Sequence, residues 1–167
     1  TGSSSTIWTG ATDTDWNTAG NWSAGIPDST KDCQIDSATN SPNINGITAS
    51  CKTLTIGTGT LTLQNATSAA LEVYGNLENS GTITQNDGTI TLRDGGATQT
   101  QQFRSSSTLT DLTFNMTGGS TAQVSGTGTT TLTDISFAGG SNFDLEIPSG
   151  KTLAITNGVT LSETNVT

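Results

Sequence analysis

The sequence predicts an all-β chain wound as a parallel β-helix, that is, a β-solenoid. The first observation behind this is composition: 36 Thr and 20 Gly stand against one Met and three Pro, so β-branched strand positions alternate with glycine turns and helix is disfavoured. The second is a pairing of apolar residues two apart, which share one face of a strand: Leu54 with Ile56, Leu71 with Val73, Ile90 with Leu92, Leu112 with Phe114, and Leu153 with Ile155. The third is recurrence. From Ile56 through Val73, Leu92, Phe114 and Ile135 to Ile155 the steps are 17, 19, 22, 21 and 20 residues, close to one coil of a solenoid. A β-sandwich is the alternative, but its short strands need not recur as sets.

The chain divides into an opening segment, residues 1–32, and coils over 33–167, within a single domain of about six to seven coils. Stepping back 21 residues from Ile56 reaches Ile35, with Cys33 in the partner position. Further strand pieces lie between the inward pairs: "TLTL" at 60–63, "GTIT" at 81–84, "GTTTLT" at 128–133 and "FDLEI" at 143–147. Gly, Asn-Gly and Asp-Gly turns separate them, giving two or three strands per coil. Around residues 131–137 two registers compete, one placing Thr133 and Ile135 inward and the other Ile135 and Phe137. The final stretch "GKTLAITNGVTLSETNVT" keeps a strand pattern, with Leu153, Ile155, Val159 and Leu161 available for the core and no Trp-rich or amphipathic segment to cover that end.

Charge narrows the partners. Fourteen acidic residues against five basic ones give a net charge of −9 without any His, which argues against nucleic acid, whose phosphates need clustered Lys and Arg. No apolar run approaches the roughly 20 residues of a membrane span, and "TGSSST" lacks the basic and apolar regions of a signal peptide. Cys33 and Cys51 are too few for a zinc site in a chain without His. They are predicted to form a disulfide, which together with the acidic, Thr- and Asn-rich composition points to an extracellular, cell-surface setting. Cys33 aligns with Leu54, whereas Cys51 falls three residues before it, so a bend near Cys51 must bring the sulfurs together. Asn-x-Ser/Thr sequons at Asn21, Asn65, Asn115 and Asn165 arise readily by chance in so Thr-rich a chain.

The stretch "IWTGATDTDWNTAGNW" at 7–22 holds all three tryptophans, Trp8, Trp16 and Trp22. A solenoid must close its first coil, because an uncovered end exposes both apolar core and unpaired backbone, and three indoles supply the area. An aromatic platform stacking on surface glycans is the functional alternative, and it needs exposed, coplanar rings. Asp13, Asp15, Asp28 and Asp32 make the same segment a candidate Ca²⁺ site, with Asx-turns as the competing use. "DTDWN" begins like a calcium loop, but Thr18 and Ala24 stand where an EF-hand has Gly and Glu.

These residues carry a resemblance. "WTGATDTDWNTAGNWSAGIPDSTKDCQID" resembles the W-x-G, D-x-x-W, N-W, P, D-x-x-I opening of bacterial secreted and cell-surface β-helix proteins, which are adhesin-like. "PNINGITASCKTLTIGTGTLTL" is similar to their next element, and "LEVYGNLENSGTITQNDGTITL", "QTQQF" and "TLTDLTFNMTGG" to the repeats that follow. The resemblance implies a right-handed parallel β-helix exported to the cell surface as a scaffold or adhesive module, with no shared catalytic residues. Family members are typically longer chains with a separate sorting or anchoring domain.

Catalysis finds little to rest on. The same-strand acid pairs are Asp13 with Asp15 and Asp144 with Glu146, and Arg93 beside Asp94 is the nearest match to a lyase, yet adjacent strand residues point to opposite faces. Ice binding through Thr ranks fails because the outward series Thr55, Glu72, Thr91, Thr113, Asp134 and Ala154 is broken by charge and Ala. The expectation is a non-catalytic structural or adhesive surface protein that self-associates head to tail as a pilus-like filament or stacks on neighbouring repeats. In the filament, the start "TGSSSTI" would lend a strand to the next subunit, or the capped face of one molecule would stack directly on the far end of another. A carbohydrate-binding module and a piece of a longer adhesin are the alternatives.

Overall fold

The computed structural model describes residues 4–64, 68–138 and 142–161. β1 (Ser4–Ile7) precedes a first turn of β2 (Lys31–Ile35), β3 (Asn43–Ile44) and β4 (Thr48–Cys51). The next two turns repeat that triplet, as β5 (Leu54–Ile56), β6 (Thr60–Leu63) and β7 (Ala70–Val73), then β8 (Leu77–Asn79), β9 (Thr82–Thr84) and β10 (Thr89–Arg93). Later turns pair β11 (Thr100–Ser105) with β12 (Leu109–Asn115), β13 (Thr121–Val124) with β14 (Thr129–Phe137), and β15 (Asp144–Glu146) with β16 (Thr152–Leu161). Among the described residues the only helix is a 3₁₀ turn at Ala19–Asn21.

All the strand ladders are parallel, and they build three sheets of a β-solenoid. The first sheet stacks β1-β2-β5-β8-β11-β13-β15, the second β4-β7-β10-β12-β14-β16, and the third β3-β6-β9. The six rungs of the second sheet make about five turns from first to last, fewer than the expected six to seven coils. The boundary expected between residues 32 and 33 falls inside β2, and β1 already forms a rung.

Parallel pairing in register lines inward residues into columns. Cys33, Leu54, Leu77, Phe103 and Val124 form one in the first sheet. Ala49, Leu71, Ile90, Leu112 and Ile135 form another in the second, beside Cys51, Val73, Leu92, Phe114 and Phe137. Except for the half-buried Phe137 these side chains are buried, which is where β-branched and aromatic residues at two-residue spacing gain most. Backbone also meets backbone at the corners: a Cβ on Gly81 would overlap the Gly59 carbonyl oxygen, so that corner excludes larger residues.

The repeat differs from the sequence reading at three places. The 17-residue step from Ile56 to Val73 crosses between sheets: Ile56 stacks on Ile35 and Asn79 in the first, whereas Val73 stacks on Cys51 and Leu92 in the second. Ile135 follows Leu112, and Phe137 follows Phe114, so the second of the two competing registers holds. Ile155 follows Leu132 rather than Ile135; an irregularity between Leu132 and Asp134 gives β16 one extra residue, and Val159 takes the position over Ile135.

Cys33 and Cys51 form a disulfide with their Cα atoms 6.1 Å apart. Leu54 stacks on Cys33 as the alignment predicted, and the bend at Lys52 and Thr53 carries the chain from β4 into β5. The Cys33 N–H donates to the Thr53 carbonyl at 2.8 Å across that bend. The bond therefore joins the first sheet to the second at the end of one full turn, and the first coil is a covalently closed ring. Replacing both cysteines with alanine should lower the unfolding free energy by about 3 kcal/mol, the loop-closure value for a crosslink of this span. Urea titration measures this, and two alkylatable thiols in the unreduced native protein would overturn it.

Candidate functional site

The candidate site is the N-terminal end, where the sequence concentrates its aromatic and acidic side chains. The 3₁₀ turn reverses the chain, so that residues 21–23 run antiparallel to 7–9. Thr9 N–H donates to the Asn21 carbonyl at 2.7 Å and Ser23 N–H to the Ile7 carbonyl at 2.9 Å. Ile7 N–H donates to Ser23 Oγ at 2.9 Å. Ser23 thus takes both main-chain polar groups of Ile7. Asp15 makes a parallel bridge with Asn43, supported by Trp16 N–H to the Asn43 carbonyl at 3.0 Å and Asn43 N–H to the Thr14 carbonyl at 2.7 Å. One loop therefore covers the starting edges of both the first and the third sheets.

Asn21 is the hub of that loop, and it is fully buried. Its Oδ1 accepts from the Thr12 and Asp13 N–H groups at 2.9 and 3.0 Å, and its Nδ2 donates to Asp13 Oδ1 at 2.6 Å and the Asp15 carbonyl at 2.9 Å. Such complete use is what makes a buried amide tolerable. It also removes Asn21 as a glycan acceptor. At Gly10 the backbone is left-handed, with φ +58°, and a Cβ would overlap the Asn40 carbonyl oxygen. Asn40 Nδ2 donates to the Gly10 carbonyl at 2.7 Å, and Trp8 Nε1 donates to the Asn40 carbonyl at 2.6 Å. The W-x-G, D-x-x-W and N-W elements are thus parts of one hydrogen-bonded unit.

Trp8, Trp16 and Trp22 are 3%, 1% and 4% exposed. Trp22 meets Trp8 at 5.0 Å and Trp16 at 4.8 Å, with interplanar angles of 83° and 71°, the edge-to-face geometry that aromatic quadrupoles favour. Buried and crossed rings offer no platform for a sugar, so the glycan-stacking alternative for these residues does not hold. Trp22 Nε1 donates to the Trp16 carbonyl at 2.9 Å, whereas Trp16 Nε1 has no acceptor among the described residues.

Three of the four candidate calcium ligands serve local turns, and the fourth, Asp32, reaches the bend before the next coil. Asp13 Oδ1 accepts from Asp15 N–H at 2.9 Å, and Asp15 Oδ1 from Asn17 N–H at 2.9 Å. Asp28 Oδ1 accepts from Thr30 N–H at 2.8 Å and Thr30 Oγ1 at 2.6 Å, and Asp32 Oδ1 from Thr53 N–H at 3.2 Å. The Asn21 amide, then the Asp15 N–H, hold the Asp13 carboxyl below its ordinary pKa, and the Thr30 hydroxyl and N–H do the same for Asp28. Among the described residues no group of three or more Cys, Asp or Glu is placed to hold a metal ion.

The remaining candidates separate. Arg93 Nε pairs with Glu72 Oε1 at 2.9 Å, and Tyr74 donates to the other Glu72 oxygen at 2.8 Å. Asp94 faces the opposite way and is buried. It accepts from Gly96 N–H at 2.9 Å, Thr117 N–H at 2.5 Å, Thr117 Oγ1 at 2.6 Å and Ser120 Oγ at 2.7 Å. Burial alone would raise its pKa, but the Thr117 and Ser120 hydroxyls and two backbone donors outweigh it and bring the value to about 2. Asp144 is exposed, and Glu146 accepts from Gln123 at 2.8 Å. Asn21, Asn40 and Asp94 are the structurally decisive polar residues that the sequence reading did not assign to these roles. For Asn21 alone there was a signal, its place directly before a tryptophan.

Residues 7–114, a span that includes this unit and the disulfide, match the model of a family described as a domain of unknown function, DUF8693. No curated protein and no solved structure matches the chain.

Two sets of variants test these assignments. Asn21→Ala strands the Thr12 and Asp13 amides and should cost about 3 kcal/mol. Trp22→Phe strands the Trp16 carbonyl and should exceed Trp16→Phe by about 1 kcal/mol in urea unfolding; equal losses would contradict the assigned bonds. Asp94→Asn tests linkage. Because the folded pKa of about 2 lies below the ordinary 3.8, the carboxylate's stabilisation is fully present above pH 3.8 and lost as pH falls through 2. The wild type should therefore exceed the variant in stability at pH 7, with the gap closing between pH 4 and 2 in parallel denaturation curves.

Proposed function

This chain belongs to the DUF8693 family, and we propose that it serves as a non-catalytic structural and adhesive module of an extracellular surface protein. The observation that carries this reading is the parallel β-solenoid itself, three stacked sheets around an apolar core whose first coil is closed by the Cys33–Cys51 disulfide, with most of the polar and acidic side chains left to the outer faces.

The disulfide supports an oxidising compartment, and no described helix is long and apolar enough to cross a membrane. Of the two assembly modes expected from the sequence, stacking on neighbouring repeats is better supported than a filament joined by a lent N-terminal strand. The strand that the filament would lend, Ser4–Ile7, is already β1, paired in its own sheet with β2. With the tryptophans buried, adhesive contacts fall to the outer faces of the sheets.

Labelling of intact source cells with a membrane-impermeant amine reagent, followed by thiol alkylation, tests the location. Modified lysines with both cysteines oxidised are expected. Modification that appears only after lysis would overturn the extracellular assignment.

A further inference from the structure

We infer that Asn45 is a site of self-modification, at which the backbone nitrogen of Gly46 closes on the Asn45 side chain and the amide becomes a carboxylate. The chain holds four Asx-Gly pairs: Asn45-Gly46, Asp87-Gly88, Asp94-Gly95 and Asn157-Gly158. Glycine favours this ring closure, since it has no side chain to obstruct the approach and its backbone turns freely. In sequence the four pairs look alike; the fold separates them.

Three of the pairs are held away from reaction. Gly158 pairs with Asp134 in the β14–β16 ladder, and the Asn157 amide donates to Asp134 at 2.7 Å. Gly88 is buried, and its N–H donates to the Gln85 carbonyl at 3.0 Å. Asp94 is buried with both carboxylate oxygens engaged, by Gly96 on one side and by Thr117 and Ser120 on the other. Asn45-Gly46 is different. Both residues are exposed at the corner between β3 and β4, and neither makes a hydrogen bond among the described residues. The anchors stand on either side: the Ile44 carbonyl accepts from Gln64 N–H at 2.9 Å and the Ile47 carbonyl from Ala70 N–H at 3.0 Å. Gly46 has φ +67°, and a Cβ there would meet nothing closer than Ser68 Oγ at 3.9 Å, so its nitrogen is approachable.

The reaction needs only water. The Gly46 nitrogen gives its proton to solvent base and attacks Asn45 Cγ; the N–Cγ bond forms, the Cγ–Nδ2 bond breaks, and the leaving nitrogen takes a proton and departs as ammonia. Water then opens the cyclic imide at either carbonyl, giving aspartate or, with the main chain rerouted through Cγ, isoaspartate. The corner lies inside the Cys33–Cys51 loop, so isoaspartate lengthens the main chain of the closed first coil. Either product adds a negative charge to a chain already at −9.

The test is peptide mapping by mass spectrometry of the folded 167-residue chain, disulfide intact, held between pH 7 and 9. Asn45 is expected to convert at least tenfold faster than Asn157, and faster as pH rises, because the attacking nitrogen must first lose its proton. In urea, where the ladder no longer protects Asn157, the two sites should convert alike. Hydroxylamine captures the imide and should cut the folded chain between Asn45 and Gly46, with pieces that separate only on reduction because the cut lies within the disulfide loop. Asn45→Gln, whose longer side chain closes a ring far more slowly, should remove both the conversion and the cut. An Asn45 left unchanged in the folded chain overturns the inference, whatever happens in urea. So does equal conversion of Asn45 and Asn157 in the folded chain, or a difference between them that persists in urea. None of these outcomes bears on where the protein resides, which the surface labelling decides separately.

Discussion

A core made of columns has two ends, and that constraint governs the rest of this molecule. Parallel stacking protects each inward side chain laterally by its own rung and vertically by the rungs on either side. The first and last rungs lack one neighbour, so apolar area and backbone groups there must be covered by something other than the repeat. At the start the covering is local and polar in its logic. A loop of fifteen or so residues has little core of its own, so it is held by the Asn21 amide, by the Asn40 and Gly10 exchange, and by bridges to β2 and β3. The indoles then fill the space that this framework encloses. The disulfide acts one layer deeper, by turning the first coil into a ring on which the next can stack.

Further along, polar side chains fix the register between turns of unequal length. Successive members of the Cys51 column lie 22, 19, 22 and 23 residues apart, so the loops vary while the strands must still align. Asp94 ties its own turn to Thr117 and Ser120 on the next. Glu78 accepts from Arg104 one rung away, at 2.5 Å, and from Ser125 two rungs away, at 2.8 Å. Gln85 donates to the Asp111 carbonyl at 2.6 Å and accepts from Thr110 N–H at 2.9 Å. A purely apolar column would tolerate a slipped strand, since one aliphatic side chain stacks on another with little preference. Directional bonds to a buried carboxylate or amide lose their partners on slipping, and the loss is large because the group is out of water.

Much of this was legible in the residues, for a physical reason. Period-2 pairs such as Leu71 with Val73 and Leu112 with Phe114 report burial directly, because alternate residues share a face, and all four are buried. The phase of Cys33 with Leu54 and of Ile35 with Ile56 followed from the same rule and holds. What escaped was information carried between strands. Ile56 and Val73 look alike in sequence although they belong to different sheets, because a solenoid with two or three faces puts similar strands on each. The interior at Asn79 and Ser105, bonded to each other at 2.9 Å, reads as a turn by composition. Only stacking reveals that two polar residues 26 apart satisfy one another. At the opening segment the role of the tryptophans as a closure was readable from the need to cover an end, but the Asn21 hub was not, since its place before Trp22 singles the residue out without telling a buried amide from an exposed one.

The two ends also differ in kind. Closure at the start uses residues with no counterpart in the repeat: three indoles, a left-handed glycine and a saturated amide. The last described rung sets Leu153, Ile155 and Val159 in the positions that Thr130, Leu132 and Ile135 occupy one turn earlier. Those earlier residues are buried only because β16 lies over them. Adding one rung therefore transfers exposure from one set of side chains to the next without reducing it, and no number of further repeats would remove it. Relief comes from a different element, as at the start, where the crossed indoles and the loop held by Asn21 lie over the first rung.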